Sequence, residues 1–160
     1  MVLLLAGCRQ SQSEGSRQDL ATVTNVIDGD TIELRINQTE VRVRLLGIDA
    51  PESVHPHLPV QCYGPEASTA LAELLPVGTA VYIRRDVEVK DHFDRLLLYV
   101  YRAEDDLFVN RWLVDQGLAD ESHYEPNSAK RQELVRAKSS ARANSIGLWG
   151  NCQGPDQPLE

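Results

Sequence analysis

The sequence predicts an α+β protein: a five-stranded β-barrel carrying three helices. Three observations predict it. Five segments rich in Val, Ile, Leu, Tyr and Thr lie at 21–27, 31–36, 41–46, 79–84 and 96–101, each bounded by turn-forming residues. One helical stretch, 64–75, separates the third from the fourth. Two more, 109–118 and 127–144, follow the last strand. A chain of 160 residues with 42% hydrophobic content forms one core and, by length, one folded domain, placed at 21–150.

Each element has a local reason. Asp28-Gly29-Asp30 is a turn signal that joins the first two strands into a hairpin. Residues 37–40 (Asn-Gln-Thr-Glu) make the next turn. Along 41–46, Val41 and Val43 alternate with Arg42 and Arg44, so the arginines lie on the face opposite the valines. Gly47 and Pro51 end that strand. Pro65 suits the first position of a helix, Leu71, Leu74 and Leu75 give it an apolar face, and Pro76 and Gly78 stop it. The last two strands flank a polar loop holding Asp91, Asp94 and Arg95. The first C-terminal helix is interrupted at Gly117, and the second is basic and precedes Gly147. Five strands in a Greek-key barrel make an OB-type architecture, a common platform for nucleic acids.

Charge and cysteines narrow the setting. With 24 acidic and 16 basic residues the net charge is −8, which argues against tight non-specific coating of DNA, since phosphate attraction dominates such binding. No apolar run of ~20 residues is present to span a bilayer. Val2-Leu3-Leu4-Leu5-Ala6-Gly7 precedes Cys8, a pattern that resembles the lipobox of bacterial lipoproteins, in which the cysteine becomes the lipidated first residue. The run is short and has no basic start, so residues 1–8 are expected to be a truncated anchor signal. Polar residues 9–20 read as a flexible linker, and 151–160 as a C-terminal tail. The expected place is the bacterial cell envelope or the outside of the cell, with the membrane reached through Cys8. Lipidation of Cys8 leaves Cys62 and Cys152 as an even pair in an oxidising compartment. They are either bonded to each other or two separate thiols.

The chemistry-bearing residues fall in three short segments. Asp28, Asp30 and Thr31 sit in the first turn; Arg44, Asp49 and Glu52 follow on the third strand and just after it; Asp91 and Arg95 lie in the polar loop. Carboxylates bind a hard metal ion, a further carboxylate can activate water, and two guanidinium groups can hold a phosphate. His55, His57, His92 and His123 lack compact ligand spacing, which disfavours a transition metal.

From residue 21 to residue 150 the chain resembles the staphylococcal nuclease (thermonuclease) family. The matching words are Ile27-Asp28-Gly29-Asp30-Thr31, Arg44-Leu45-Leu46-Gly47-Ile48-Asp49-Ala50-Pro51-Glu52, Tyr63-Gly64-Pro65-Glu66-Ala67-Ser68, the segment from Asp91 to Arg95, Val109-Asn110 with Gln116-Gly117-Leu118-Ala119, and Gly147-Leu148-Trp149. The resemblance implies the OB-type barrel with three helices and a Ca²⁺-dependent nuclease. That enzyme would act on DNA and RNA, preferably single-stranded, with little sequence preference, as a monomer. It would leave 3′-phosphate and 5′-hydroxyl ends. It implies Asp30, Asp49 and the carbonyl of Ala50 as Ca²⁺ ligands, Glu52 as general base, and Arg44 and Arg95 as the phosphate-gripping pair. Asp28, Thr31 and Asp91 would order those groups, and His92 and Tyr124 would meet the nucleotide.

The chain departs from the family pattern mainly on the substrate side. Ala50 stands for a threonine but keeps the carbonyl. His92 replaces a lysine, Ser122 one of two tyrosines, and 53–61 lacks lysines. These changes predict weaker substrate binding with the chemistry retained. The alternative expectation is a catalytically weak OB-fold lipoprotein that binds nucleic acid or protein.

Overall fold

The computed structural model describes residues 19–54, 57 and 59–159. In chain order the elements are β1 (Asp19–Val26), β2 (Thr31–Ile36), β3 (Thr39–Leu45), β4 (Ile48–Asp49), α1 (Gly64–Leu74), β5 (Ala80–Arg84), β6 (Leu96–Arg102), β7 (Leu107–Phe108), α2 (Val109–Asp115), β8 (Asp120–Glu121), α3 (Arg131–Ala143) and α4 (Leu148–Asn151). Cys8 and residues 9–18 lie outside the described residues, as does His55. Asp19 and Leu20, expected to end the linker, instead begin β1.

The predicted barrel is present. β1, β2 and β3 form an antiparallel meander, β1 pairs on its other side with β5, and β5 with β6. The barrel closes through a parallel ladder between β3 and β6, with Val43 opposite Leu96, Arg44 opposite Leu97 and Leu45 opposite Leu98. Strand alternation sends Ile32, Leu34, Val43 and Leu45 inward, where all four are fully buried. In β6 the alternation fails: Leu97, Leu98, Tyr99 and Val100 are buried in succession, because α2 covers the face that turns away from the barrel. Asn110 of α2 ties these layers. It is fully buried, donates to the carbonyls of Leu46 (2.9 Å) and Leu98 (3.3 Å), and accepts from the Val100 amide (2.9 Å).

Three details differ from the sequence expectation. β4 and β8 form a two-stranded ladder of their own, pairing Ile48 with Glu121 and Asp49 with Asp120. Strands of two residues are too short to leave a periodic signal. α2 stops at Asp115, three residues before its expected end, with Gly117 at φ +61 making the turn. α3 starts at Arg131 rather than at 127, because Asn127 has another task. Its buried amide accepts from the Glu88 N–H (2.7 Å) and donates to the Glu88 carbonyl (3.0 Å), fastening the loop before β6.

Of the two states left open for the cysteines, the bonded one is present: Cys62 and Cys152 form a disulfide closing 90 residues, with Cα atoms 5.8 Å apart. The tail beyond it folds back along the chain that leads into α1. Gln157 accepts from the Cys62 amide (2.7 Å), and the Leu159 amide donates to Val60 (2.9 Å). Among the described residues no helix is long and apolar enough to cross a membrane.

Candidate active site

The three acidic and basic segments meet at one end of the barrel. The β1–β2 turn reaches Ala50 and α1 so closely that a Cβ on Gly29 would stand 2.7 Å from the Ala50 Cβ and 2.8 Å from the Ala67 Cβ. Glycine is needed there for close approach. This contact places Asp30 against the chain that carries Asp49 and Glu52. The Asp30 carbonyl accepts from the Leu45 amide (2.8 Å), which fixes the turn on β3.

Asp30 is a buried residue. One carboxylate oxygen accepts from the Thr31 hydroxyl (3.1 Å), the other from the Ala50 amide (2.8 Å) and from Arg44 (2.8 Å). Asp28 accepts from the Asp30 amide (3.0 Å) and shapes the turn. Burial pushes the Asp30 carboxyl up to about 7; Arg44 pulls against this, while Asp28 and Asp49 add to it. Asp49 is half-exposed and meets the other arm of Arg44 at 2.5 Å. Its carboxyl is also raised, first by burial, against the pull of Arg44, and further by Asp156 and Asp120. One guanidinium thus serves two carboxylates, and its Nη1 also donates to the Ile48 carbonyl (2.8 Å).

Glu52 stands on the opposite wall of the same cleft. One oxygen of its carboxylate accepts from the amides of Ser53 and Val54, each at 2.9 Å, which aims the side chain. Arg95 completes the ring. Its Nε donates to Asp91 (2.7 Å), and Asp91 in turn accepts from the amides of Phe93 and Arg95. Burial pushes the Asp91 carboxyl up, but the Arg95 and Phe93 hydrogen bonds outweigh it and hold the group below the usual carboxylate range. Asp91 therefore stays ionised and orients Arg95.

The cleft so formed measures about 260 Å³ and is lined by Asp28, Asp30, Thr31, Arg44, Asp49, Ala50, Glu52 and Arg95, with Phe93 at its edge. An adjoining pocket of about 160 Å³ shares Arg44 and Arg95 and is lined further by Asp91, His92, Ser122 and Tyr124. Every candidate residue within the described chain lies in one of these two spaces.

The family described as "Staphylococcal nuclease homologue" matches residues 42–151. The chain is 36% identical over 140 residues to a protein named Thermonuclease of Staphylococcus intermedius, covering 88% of this chain and 82% of that protein. It is 34% identical over 129 residues to Thermonuclease of Staphylococcus hyicus, covering 81% and 75%. To Endonuclease YncB of Bacillus subtilis it is 33% identical over 129 residues, covering 80% of this chain and 60% of that one. The chain belongs to the staphylococcal nuclease family.

Asp30 precedes the stretch matched by the family, and the structure joins it to that stretch through Arg44 and Ala50. The donor set that the resemblance implies is the carboxylates of Asp30 and Asp49 with the carbonyl of Ala50. Among the described residues no three His, Cys, Asp or Glu side chains group as metal ligands. The set still fits a hard cation. Asp30 and Asp49 flank one guanidinium, and two carboxylates against a single positive charge suit such an ion. Arg44, expected on phosphate, here pairs with both carboxylates.

Phe93 went unrecognised as a site residue in the sequence. It is 68% exposed at the cleft edge, with the Arg95 guanidinium 5.4 Å from its ring centre and the His92 ring 3.8 Å away. An aromatic residue flanked by charged and polar groups in a polar loop is the signal that marks it.

Proposed function

We propose that this chain is a Ca²⁺-dependent nuclease that hydrolyses phosphodiester bonds of DNA and RNA with little sequence preference. The observation that carries the reading is the shared cleft, in which Arg44 holds both Asp30 and Asp49 while Glu52 and Arg95 face the same space. Asp30, Asp49 and the Ala50 carbonyl would hold Ca²⁺, which supplies Lewis-acid polarisation of a phosphoryl oxygen. Arg44 would then offer its guanidinium to the phosphate, and Arg95, kept in place by Asp91, would take a second side. Glu52 takes the proton of the attacking water. The new P–O bond forms as the bond to O5′ breaks, the departing O5′ takes a proton from solvent, and the phosphate stays on the 3′ side while the 5′-hydroxyl leaves. Both guanidinium groups neutralise the charge that grows on the equatorial oxygens.

His92 and Tyr124 line the adjoining pocket and suit a nucleotide there. An imidazole in place of a lysine ammonium, and Ser122 in place of a tyrosine, leave that pocket without a fixed ammonium and with one stacking ring fewer, which favours weak binding of single strands. The reading extends to a monomer tethered by lipid at Cys8 to the bacterial envelope, which mass analysis of Cys8 in the native host would test.

The test of activity is digestion of heat-denatured DNA by the purified protein with Ca²⁺ and with chelator, and end-group analysis of the products. Ca²⁺-dependent cleavage to 3′-phosphate ends is expected. A folded sample that binds single strands without cutting them rejects the nuclease in favour of a binding module.

A further inference from the structure

The general-base candidate, Glu52, is gripped by a residue that the cleft does not contain. Gln61 accepts from the Glu52 amide through its side-chain oxygen (2.7 Å), and its own amide donates to the Glu52 carbonyl (2.8 Å). Both backbone polar groups of Glu52 therefore end on one residue. Gln61 is in turn held from behind. Its side-chain nitrogen donates to Asp156 in the tail (3.4 Å), its backbone bridges to Pro158, and the next residue is Cys62, bonded to Cys152. The Cys62 and Leu159 amides add two hydrogen bonds between this segment and the tail. Gly64 completes the fit, since a Cβ there would lie 2.5 Å from the Glu52 carbonyl oxygen.

We propose that Gln61 is a positioning residue for Glu52, and that the disulfide-fastened tail, 152–159, sets Gln61 and through it the general base. The proposal rests on the nuclease reading. The physical ground is that Glu52 aims its carboxylate by bonding to its own next two amides. That aim depends on the backbone at residue 52, and the Gln61 contacts fix this backbone from outside the turn. Displacement of a catalytic group by about 1 Å costs up to ~100-fold in rate.

The test uses the full chain. Gln61→Met keeps length and bulk and removes the acceptor. Gln61→Glu combined with Asp156→Asn restores an acceptor for the Glu52 amide and inverts the bond to the tail at unchanged charge. Replacement of both Cys62 and Cys152 by Ala unfastens the tail. For each, kcat and KM on denatured DNA are measured with Ca²⁺, together with hydrogen exchange at the Glu52 amide.

Gln61→Met is expected to lower kcat about tenfold or more with KM within about twofold, and to speed exchange at Glu52. The double variant Gln61→Glu with Asp156→Asn recovers kcat and protection. The cysteine replacements lower kcat as well and add little to Gln61→Met, because both act through one contact. A Gln61→Met chain as fast as the parent, with the Glu52 amide still protected, overturns the proposal. Cysteine replacements that lower only the melting temperature overturn the role of the tail. A parent chain that cleaves nothing overturns the nuclease reading instead, and is recognised without any variant.

Discussion

Calcium affinity is expected to rise steeply with pH because one of the two carboxylates proposed to hold the ion keeps its proton unusually long. A free aspartic acid ionises near pH ~4, whereas folded Asp30 does so at about 7. With that midpoint, the ionised fraction is about 3% at pH 5.5 and about 90% at pH 8, so the apparent affinity grows roughly 30-fold between them. Binding releases close to one proton per ion at the acid end and almost none at the alkaline end. The assay is calorimetric titration with Ca²⁺ in two buffers of different ionisation heat, which counts protons directly. The sign for stability runs the opposite way. Between pH ~4 and ~7 the folded chain holds a proton at Asp30 that the unfolded chain has lost, so without metal its stability falls as pH rises, by at most ~4 kcal/mol. Calcium offsets that fall. Asp30→Asn removes both effects, leaving the melting temperature without metal flatter with pH. Affinity that is level from pH 5.5 to 8, or a proton count near zero throughout, refutes the reasoning.

Three further outcomes are expected. Glu52→Gln should lower kcat by ~10²–10⁴ while the melting temperature stays within about two degrees, because the substituted amide keeps one oxygen for the Ser53 and Val54 amides; single-turnover cleavage checks it. Arg95→Ala should cost ~10²–10³ in kcat/KM, and Arg95→Lys should restore little, since a single ammonium replaces a fork held on Asp91. Asn110→Ala strands the Val100 amide and the Leu46 carbonyl in the core and should cost ~2–5 kcal/mol of unfolding free energy, measured by urea titration.

The barrel was legible because its strands announce themselves. Val and Ile alternate along β2 and β3, and Asp28, Gly29 and Asp30 mark the hairpin between β1 and β2. The site was legible by resemblance and not by pattern. Asp30, Arg44 and Arg95 are each ordinary as single residues, and their meaning comes from order along the chain. What escaped the sequence are contacts between distant segments. Asn127 reads as a helix residue until Glu88 is seen in its grip. Gln61 sits in a loop with no periodicity, and only the folded tail shows that it touches Glu52. Arg44 was assigned to phosphate on family grounds, while local charge balance places it on Asp30 and Asp49. The resemblance implies a residue's task, and the folded chain shows which groups it touches.

The parallel ladder between β3 and β6 also joins the two parts of the cleft. Asp30, Arg44, Asp49 and Glu52 all belong to the first third of the chain, and the β1–β3 meander can gather them locally. Arg95 arrives only with β6, when Arg44 and Leu97 come opposite each other and the barrel shuts. The tail that holds Gln61 lies further along the chain still. The cleft therefore depends on pairing between distant segments: the first hairpin turn brings carboxylates, and closure of the barrel adds the second guanidinium.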